Sequence, residues 1–595
     1  LVILHTLHTK ISGSSLELKM LLKKPSTANL HLSGHPLRGL RGARKCRTNP
    51  QNLNARHATS AQGITNVDDM TSSKGSSVQE EDTARRFNWS SQWYPVIPTG
   101  YLYKDRPTPF QLLGLSLVLW NDGKEWVALE DACSHRLAPL SEGYVQPSGS
   151  LMCSYHGWEF DRAGSCTKIP QIGDPKSDRA ARGNPRSCVR SFPVQEAWNL
   201  IWVWPESGAD AWLRASVAQP NVPEPVRNPP PNGLRYFSSE KAWSMRETPL
   251  DYELLVENIL DLSHVPFSHH SVAGHRADAA PSTMSQVGST SCEQGFVMST
   301  SAPDDGAKRR GFQSGYLHFS PPNMVHYSMK QRGNNLFLTS FTTPCAPGKS
   351  RYFSRIYTDN DHATSEWLGW LLMRVPPWMV HLSTHNIVDA DCILAAGQQR
   401  ALRARGISDH LDKAFFCPAV ADRAVMVFYK WLSNYSGGRV QYAQPLQSAD
   451  ADYGDTTRED LLDRWSQHTR FCRFCHDGLA LLDRISAAAV CVGIGAAMLA
   501  VQAATQASPL AAILATFKLA TASLVQAVGA CTPIAISPPD VMSMAPNALG
   551  GWKSILWAAL AVVSWIVIRK ASETKSKFFK GNYTFYDKHL IKMPA

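Results

Sequence analysis

Two short loops constrain this chain more than anything else in it. Cys133-Ser-His135 is followed, seventeen residues later, by Cys153-Ser-Tyr-His156-Gly157-Trp158. Each loop offers one thiolate and one imidazole. A [2Fe–2S] cluster with two thiolates on one iron and two neutral imidazoles on the other requires that mixture, and the exchange of thiolate for imidazole raises its potential. Each Cys-x(1–2)-His pair lets one tight loop present one ligand to each iron, so the two loops must meet. Gly157 permits a close turn and Pro139 stiffens the other loop. Cys₂His₂ is also a structural zinc set, although zinc fingers usually pair Cys with Cys and His with His.

A second constellation follows: Glu257-Asn-Ile-Leu-Asp261-Leu-Ser-His264-Val-Pro-Phe-Ser-His269. Non-haem Fe(II) that activates O₂ sits in a face of two histidines and one carboxylate, with the opposite face open. On a helix running into a loop at Pro266, His264 and His269 can reach one metal. Asp261, three residues before His264, is placed to orient its second ring nitrogen. The bland alternative is two histidines satisfied at the surface or in the core, with His270 and His275 as decoys. The carboxylate must come from farther along. Asp391, in Ile387-Val-Asp389-Ala-Asp391, is the choice and Asp389 the runner-up.

Composition excludes several classes. The formal net charge is +11, from 60 basic and 49 acidic residues. Leu18 to Val67 contains nine Lys or Arg and no Asp or Glu, so the surplus reads as a basic leader, with no nucleic-acid surface implied. That leader has transit-peptide traits. Thirteen scattered cysteines do not make a disulfide framework and fit a reducing compartment.

The organisation expected is a transit peptide and linker (1–85), a cluster domain (86–210), a catalytic iron domain (211–450), a Cys-x-x-Cys region (451–484) and a membrane-anchoring tail (485–595). Leu115–Trp120, Trp126–Glu130, Leu200–Trp204, Leu336–Thr342 and Tyr352–Tyr357 read as strands. Tyr252–Leu262 and Thr364–Leu372 read as helical, giving an α+β class without βαβ alternation. Ile485–Val501 and Ser554–Ile568 are apolar runs, with Pro509–Val528 between them. Cys472 and Cys475 can form a redox dithiol, bind metal or be inert; two cysteines alone are too few for zinc. No flavin or dinucleotide module is visible, since Gly493-Ile-Gly495 lies inside an apolar run. An external one-electron donor is therefore required.

These motifs resemble the Rieske non-haem iron oxygenases. Their pattern Asp/Glu-x3-Asp-x2-His-x4-His is met by Glu257, Asp261, His264 and His269. The two extra loop cysteines of respiratory and photosynthetic Rieske proteins are absent, with Ala138 and Tyr155 in their places. Asp463-Arg464-Trp465-x-x-His468-Thr469-x-x-Cys472-x-x-Cys475, the apolar runs and the Tyr583–His589 ending are similar to the plastid pheophorbide a oxygenase-like group.

The resemblance implies an antiparallel-β Rieske domain, a helix-grip catalytic domain and C-terminal transmembrane helices. It implies a homotrimer in which Asp261 bridges electrons from a neighbour's cluster to the iron on His264, His269 and Asp391. It also implies ferredoxin as donor, a chloroplast membrane location (envelope or thylakoid) and thioredoxin acting on Cys472 and Cys475. The implied reaction uses O₂ to open pheophorbide a, a chlorophyll-derived tetrapyrrole, to red chlorophyll catabolite. The alternatives are hydroxylation of another tetrapyrrole, such as protochlorophyllide or a linear catabolite, and a redox-sensing translocon component. A pure sensor needs no His₂–carboxylate face.

Overall fold

Short β-branched and aromatic runs separated by Gly and Pro turns fold into antiparallel strands in the first third of the chain. The computed structural model describes residues 86–231, 233–279, 281, 283–301, 312–331, 334–359, 374–442, 456–505 and 551–581. The expected leader and linker, the helix over Thr364–Leu372, the apolar run Pro509–Val528 and the Tyr583–His589 ending lie outside them.

The strands are β1 (Tyr94–Pro98), β2 (Thr108–Leu112), β3 (Leu115–Asn121), β4 (Trp126–Glu130), β5 (Tyr144–Val145), β6 (Leu151–Met152), β7 (Glu159–Phe160), β8 (Cys166–Lys168), β9 (Ser191–Phe192), β10 (Val194–Ala197) and β11 (Leu200–Val203). They pair as three antiparallel sheets, β1-β11-β10, β2-β3-β4-β9 and β5-β6-β7-β8. The core beneath them holds Val118, Trp120, Leu129, Leu151 and Phe160, and Cys133 and Cys153 belong to it.

The second part is one eight-stranded antiparallel sheet of β12 (Arg235–Tyr236), β13 (Ser244–Thr248), β14 (Thr283–Ser291), β15 (Gly295–Ser301), β16 (Phe312–Ser320), β17 (Met324–Gln331), β18 (Asn334–Ala346) and β19 (Lys349–Thr358). Helices α1 (Tyr252–Leu260), α2 (Val265–Ser268), α3 (Pro377–Ala404) and α4 (Arg423–Ser436) accompany it. Leu255 of α1 and Val388, Cys392 and Ala395 of α3 share one buried cluster. The class is α+β, with an antiparallel-sheet domain and a helix-plus-sheet domain as expected. Both lie in one compact unit that runs to Leu462.

The second unit begins at Asp463. Its long helices are α5 (Arg473–Thr505) and α6 (Gly551–Phe579). Lys575 Nζ reaches Asp483 Oδ1 at 2.7 Å, and a Cβ on Gly493 would lie 3.2 Å from Ser564 Cβ. The two helices therefore run antiparallel. Both are long and apolar enough to cross a membrane. α5 starts earlier than the apolar run Ile485–Val501 indicates. Its first turns, Arg473 to Arg484, carry the charges Arg473, Asp477, Asp483 and Arg484 among good helix formers such as Leu479, Ala480, Leu481 and Leu482.

Candidate active site

The first metal site is built from two matching turns. Cys133 N–H donates to Ala138 O at 2.8 Å and Leu137 N–H returns to Cys133 O at 2.8 Å; Cys153 N–H donates to Trp158 O at 2.8 Å and Gly157 N–H to Cys153 O at 2.9 Å. Gly157 stands at φ +74°, and a Cβ there would come within 3.1 Å of Pro170 Cγ, so both the backbone conformation and the close approach favour glycine. Both cysteines are buried, while His135 and His156 are half-exposed at the loop tips. The two imidazoles lie edge to face, 4.5 Å between centroids. Trp158 stacks on His135 at 4.8 Å and 4°, which fixes that ring.

These four donors suit two irons better than one ion. Among the described residues, the groups whose donor atoms all fall within 4.8 Å of one another do not include this set. A tetrahedral zinc would draw its donors that close. His135 Nδ1 is buried without a hydrogen-bond partner, as a ligand nitrogen awaiting a metal would be. Burial pushes the Cys133 thiol up to about 12, so the thiolate needs a cation beside it. Burial, then His156 and Arg136, hold the His135 imidazole below its ordinary range, which favours the neutral ligand form.

The second site forms where α1 ends. The helix stops at Leu260, and Asp261 is already extended at φ −92°, ψ 108°. Asp261 and His264 are thus not one turn apart on a helix, as the spacing implied. Instead His264 opens α2 and His269 closes it. His264 Nε2 and His269 Nε2 are 3.2 Å apart. Asp391 Oδ1 lies 3.1 Å from His269 Nε2 and 3.6 Å from His264 Nε2. Cis ligands each about 2.1 Å from one ion stand about 3 Å apart, so this triangle matches one face of an octahedron. Asp391 Oδ1 has no properly aligned hydrogen bond despite the short separations.

Asp389 does not join them. It bonds Arg246 Nη1 at 2.5 Å, both side chains being almost fully buried. Asp261 Oδ2 is 3.6 Å from His264 Nδ1, and its other oxygen accepts from Ser263 N–H at 2.7 Å and Ser263 Oγ at 2.6 Å. Burial acts to raise the Asp261 carboxyl, but His264 and Ser263 outweigh it and hold it low. Burial likewise acts to lower His264, and the Asp261 and Asp391 carboxylates hold it up. His270 and His275 pack on each other, 4.4 Å between centroids, outside the triad.

Sequence reading placed Glu257 in the family pattern without giving it a role, and passed over Tyr327 and Tyr429, which help hold this site in place. Glu257 accepts from Gln398 Nε2 of α3 at 2.9 Å and from the Tyr429 hydroxyl of α4. One half-buried carboxyl thereby ties three helices together, and its desolvation raises its pKa. Tyr327 Oη donates to Ile259 O at 2.7 Å, fixing the end of α1 to β17. Glu257 and Gln398 each stood in a motif, but nothing in the sequence paired them; Tyr327 and Tyr429 carried no signal.

Residues 92–193 match the family model of the Rieske [2Fe-2S] domain, and residues 319–408 that of pheophorbide a oxygenase. The first span holds all four cluster donors and the second holds Asp391. The chain is 33% identical over 418 residues to the chloroplastic pheophorbide a oxygenase of Arabidopsis thaliana, covering 67% of this chain and 73% of that protein. It is 29% identical to the Arabidopsis protochlorophyllide-dependent translocon component 52, covering 66% and 74%. It is 28% identical to flavonoid 8-hydroxylase 2 of Ocimum basilicum, covering 66% and 73%. With that likeness over two thirds of its length, and both family models matched in order along it, the chain belongs to the pheophorbide a oxygenase-like group of Rieske non-haem iron oxygenases.

Proposed function

We propose that this enzyme uses O₂ and ferredoxin electrons to oxygenate a chlorophyll-derived tetrapyrrole, opening pheophorbide a to red chlorophyll catabolite. The observation that carries this reading is the likeness to a pheophorbide a oxygenase across both metal-binding parts of the chain. Cys133, His135, Cys153 and His156 hold the cluster, and His264, His269 and Asp391 hold the mononuclear iron. When bound, the cluster passes single electrons and the iron activates O₂.

The remaining chemistry belongs to the protein. The Asp261 carboxylate, 3.6 Å from His264 Nδ1, favours a proton on that nitrogen electrostatically and so leaves Nε2 with its lone pair for the metal. His269 is buried, but the side chains of His264 and Asp261 keep 21% and 26% of their exposure. This open side is where a neighbouring copy's cluster delivers electrons through Asp261, in a homotrimer. α5 and α6 anchor the enzyme in a chloroplast membrane.

A second reading, hydroxylation of a different ring system, is favoured by the likeness to a flavonoid 8-hydroxylase. One experiment separates the two. Purified enzyme is given a panel of chlorophyll catabolites and flavonoids with reduced ferredoxin and labelled O₂, and products are weighed. A ring-opened, labelled product from pheophorbide a is expected. Label in another compound alone would replace the first reading with the second, and unlabelled products would remove both.

A further inference from the structure

Cys472 and Cys475 sit at the start of α5, and the sequence offered them as a redox pair. The fold adds a third donor from the preceding turn. His468 Nε2 lies 3.1 Å from Cys475 Sγ, and the donor atoms of His468, Cys472 and Cys475 all fall within 4.8 Å of one another. Each of the three side chains is 0% exposed. We propose that His468, Cys472 and Cys475 form a structural metal site for Zn²⁺, separate from both iron sites.

Three lines of chemistry support it. Zinc takes Cys sulfur at about 2.3 Å and His nitrogen at about 2.0 Å in a tetrahedron, whose donors then lie about 3.5–3.8 Å apart. The observed spacings reach that with small side-chain movements. Second, charge balances: Zn²⁺ displaces one proton from each thiol, and two thiolates with a neutral imidazole leave the buried site with no net charge. A buried cluster of ions is tolerated only when so compensated. Third, reactive cysteines are partly exposed, because an incoming sulfur must reach them in line. These two are closed to solvent, which suits a ligand better than a partner in thiol exchange. Two cysteines alone were too few for zinc; the third donor changes that.

The backbone shapes the clip. Phe471 and Cys472 N–H groups close a tight turn onto His468 and Thr469 carbonyls at 3.0 and 3.1 Å, and Cys475 N–H donates to Cys472 O at 3.0 Å. Cys475 falls in the first turn of α5, where the helix dipole favours a thiolate. The same turn is tied to the end of α6. Thr469 Oγ1 donates to Phe578 O at 2.6 Å, Arg464 Nη1 donates to Lys577 O at 3.0 Å, and Trp465 stacks on Phe579 at 5.1 Å. A metal here would lock together the two chain ends from which both apolar helices depart.

The test is elemental analysis of the full-length protein purified in detergent, with zinc and iron counted per chain. The wild type is expected to carry about one zinc per chain. His468→Ala and the double variant Cys472→Ser/Cys475→Ser should lose at least nine-tenths of it, with iron and the cluster's EPR signal unchanged. His468→Cys, which keeps three soft donors, should retain zinc and so show that loss in the alanine variant is not misfolding. A wild type without zinc, or zinc that survives His468→Ala, would overturn the assignment. So would recovery of Cys472 and Cys475 as a disulfide that thioredoxin reduces.

Discussion

Asp389 and Asp391 are two positions apart on α3, about 200° around the helix, and they face different charges. Asp389 points to the buried guanidinium of Arg246 at 2.5 Å, and Asp391 to His269 Nε2 at 3.1 Å. Replacing each should therefore fail in a different way. Asp391→Ala is expected to strip the mononuclear iron and cut O₂ uptake at least about 100-fold, roughly 2.7 kcal/mol or more, with the cluster's spectrum intact. Asp389→Asn removes the counter-charge of the buried Arg246 and should lower stability by about 3–5 kcal/mol while the iron still binds. Iron analysis beside a urea titration distinguishes them; the opposite pattern would exchange their roles.

Asp261 touches His264 but is too far from the other donors to act as a ligand. Asp261→Asn should leave both metals bound and slow reoxidation of the reduced cluster by about 10–100-fold, the usual effect of removing a partner of a metal-bound histidine. Stopped-flow absorbance with substrate and O₂ gives the rate. An unchanged rate would remove Asp261 from the electron path.

Tyr429→Phe tests the carboxyl that joins α1, α3 and α4. Glu257 would keep Gln398 but lose the hydroxyl donor. Stability should fall by about 1–3 kcal/mol, the penalty for a buried acceptor left short of a partner. A thermal midpoint unchanged from wild type would show that Tyr429 contributes nothing to holding the helices.

Glu247 sets a pH dependence. Burial acts to raise its carboxyl, but Arg351 and Lys349, each at 2.7 Å, bring it down to about 2 from the ordinary 4.5. Its folded pKa is depressed, so its contribution is full above about pH 4.5 and is lost as pH falls toward 2. The shift corresponds to about 2–3 kcal/mol, discounted for the partly exposed Lys349. Glu247→Gln should be less stable by that amount at pH 7, with the gap under half as large by about pH 3. Equal gaps at both pH values would refute the ion pair's role.

What the sequence made legible was whatever lies close along the chain. The two cluster loops carry their donors one or two residues apart, and His264 and His269 are five apart, so their chemistry shows in the spacing. The strand readings at Leu115–Trp120 and Trp126–Glu130 fall on β3 and β4 because alternation and turn residues are local signals. The choice between Asp389 and Asp391 was not local. It depends on Arg246, 143 positions away, whose charge turns one side of α3 into a structural face. The end of α1 at Leu260 was missed for a related reason, since nothing in Asp261-Leu-Ser-His264 forbids a further helical turn. His468 stood in plain view, four residues before Cys472. Only the turn through Thr469–Phe471 brings its ring back onto the thiols.

The three candidate donors His264, His269 and Asp391 come from the flanks of α2 and from α3, and none from the eight-stranded sheet. Substitutions along the strands therefore need not disturb the three donors, which ride on the helices and their flanks. A scaffold partitioned in this way separates the parts that shape the domain from the parts that set the donor triangle.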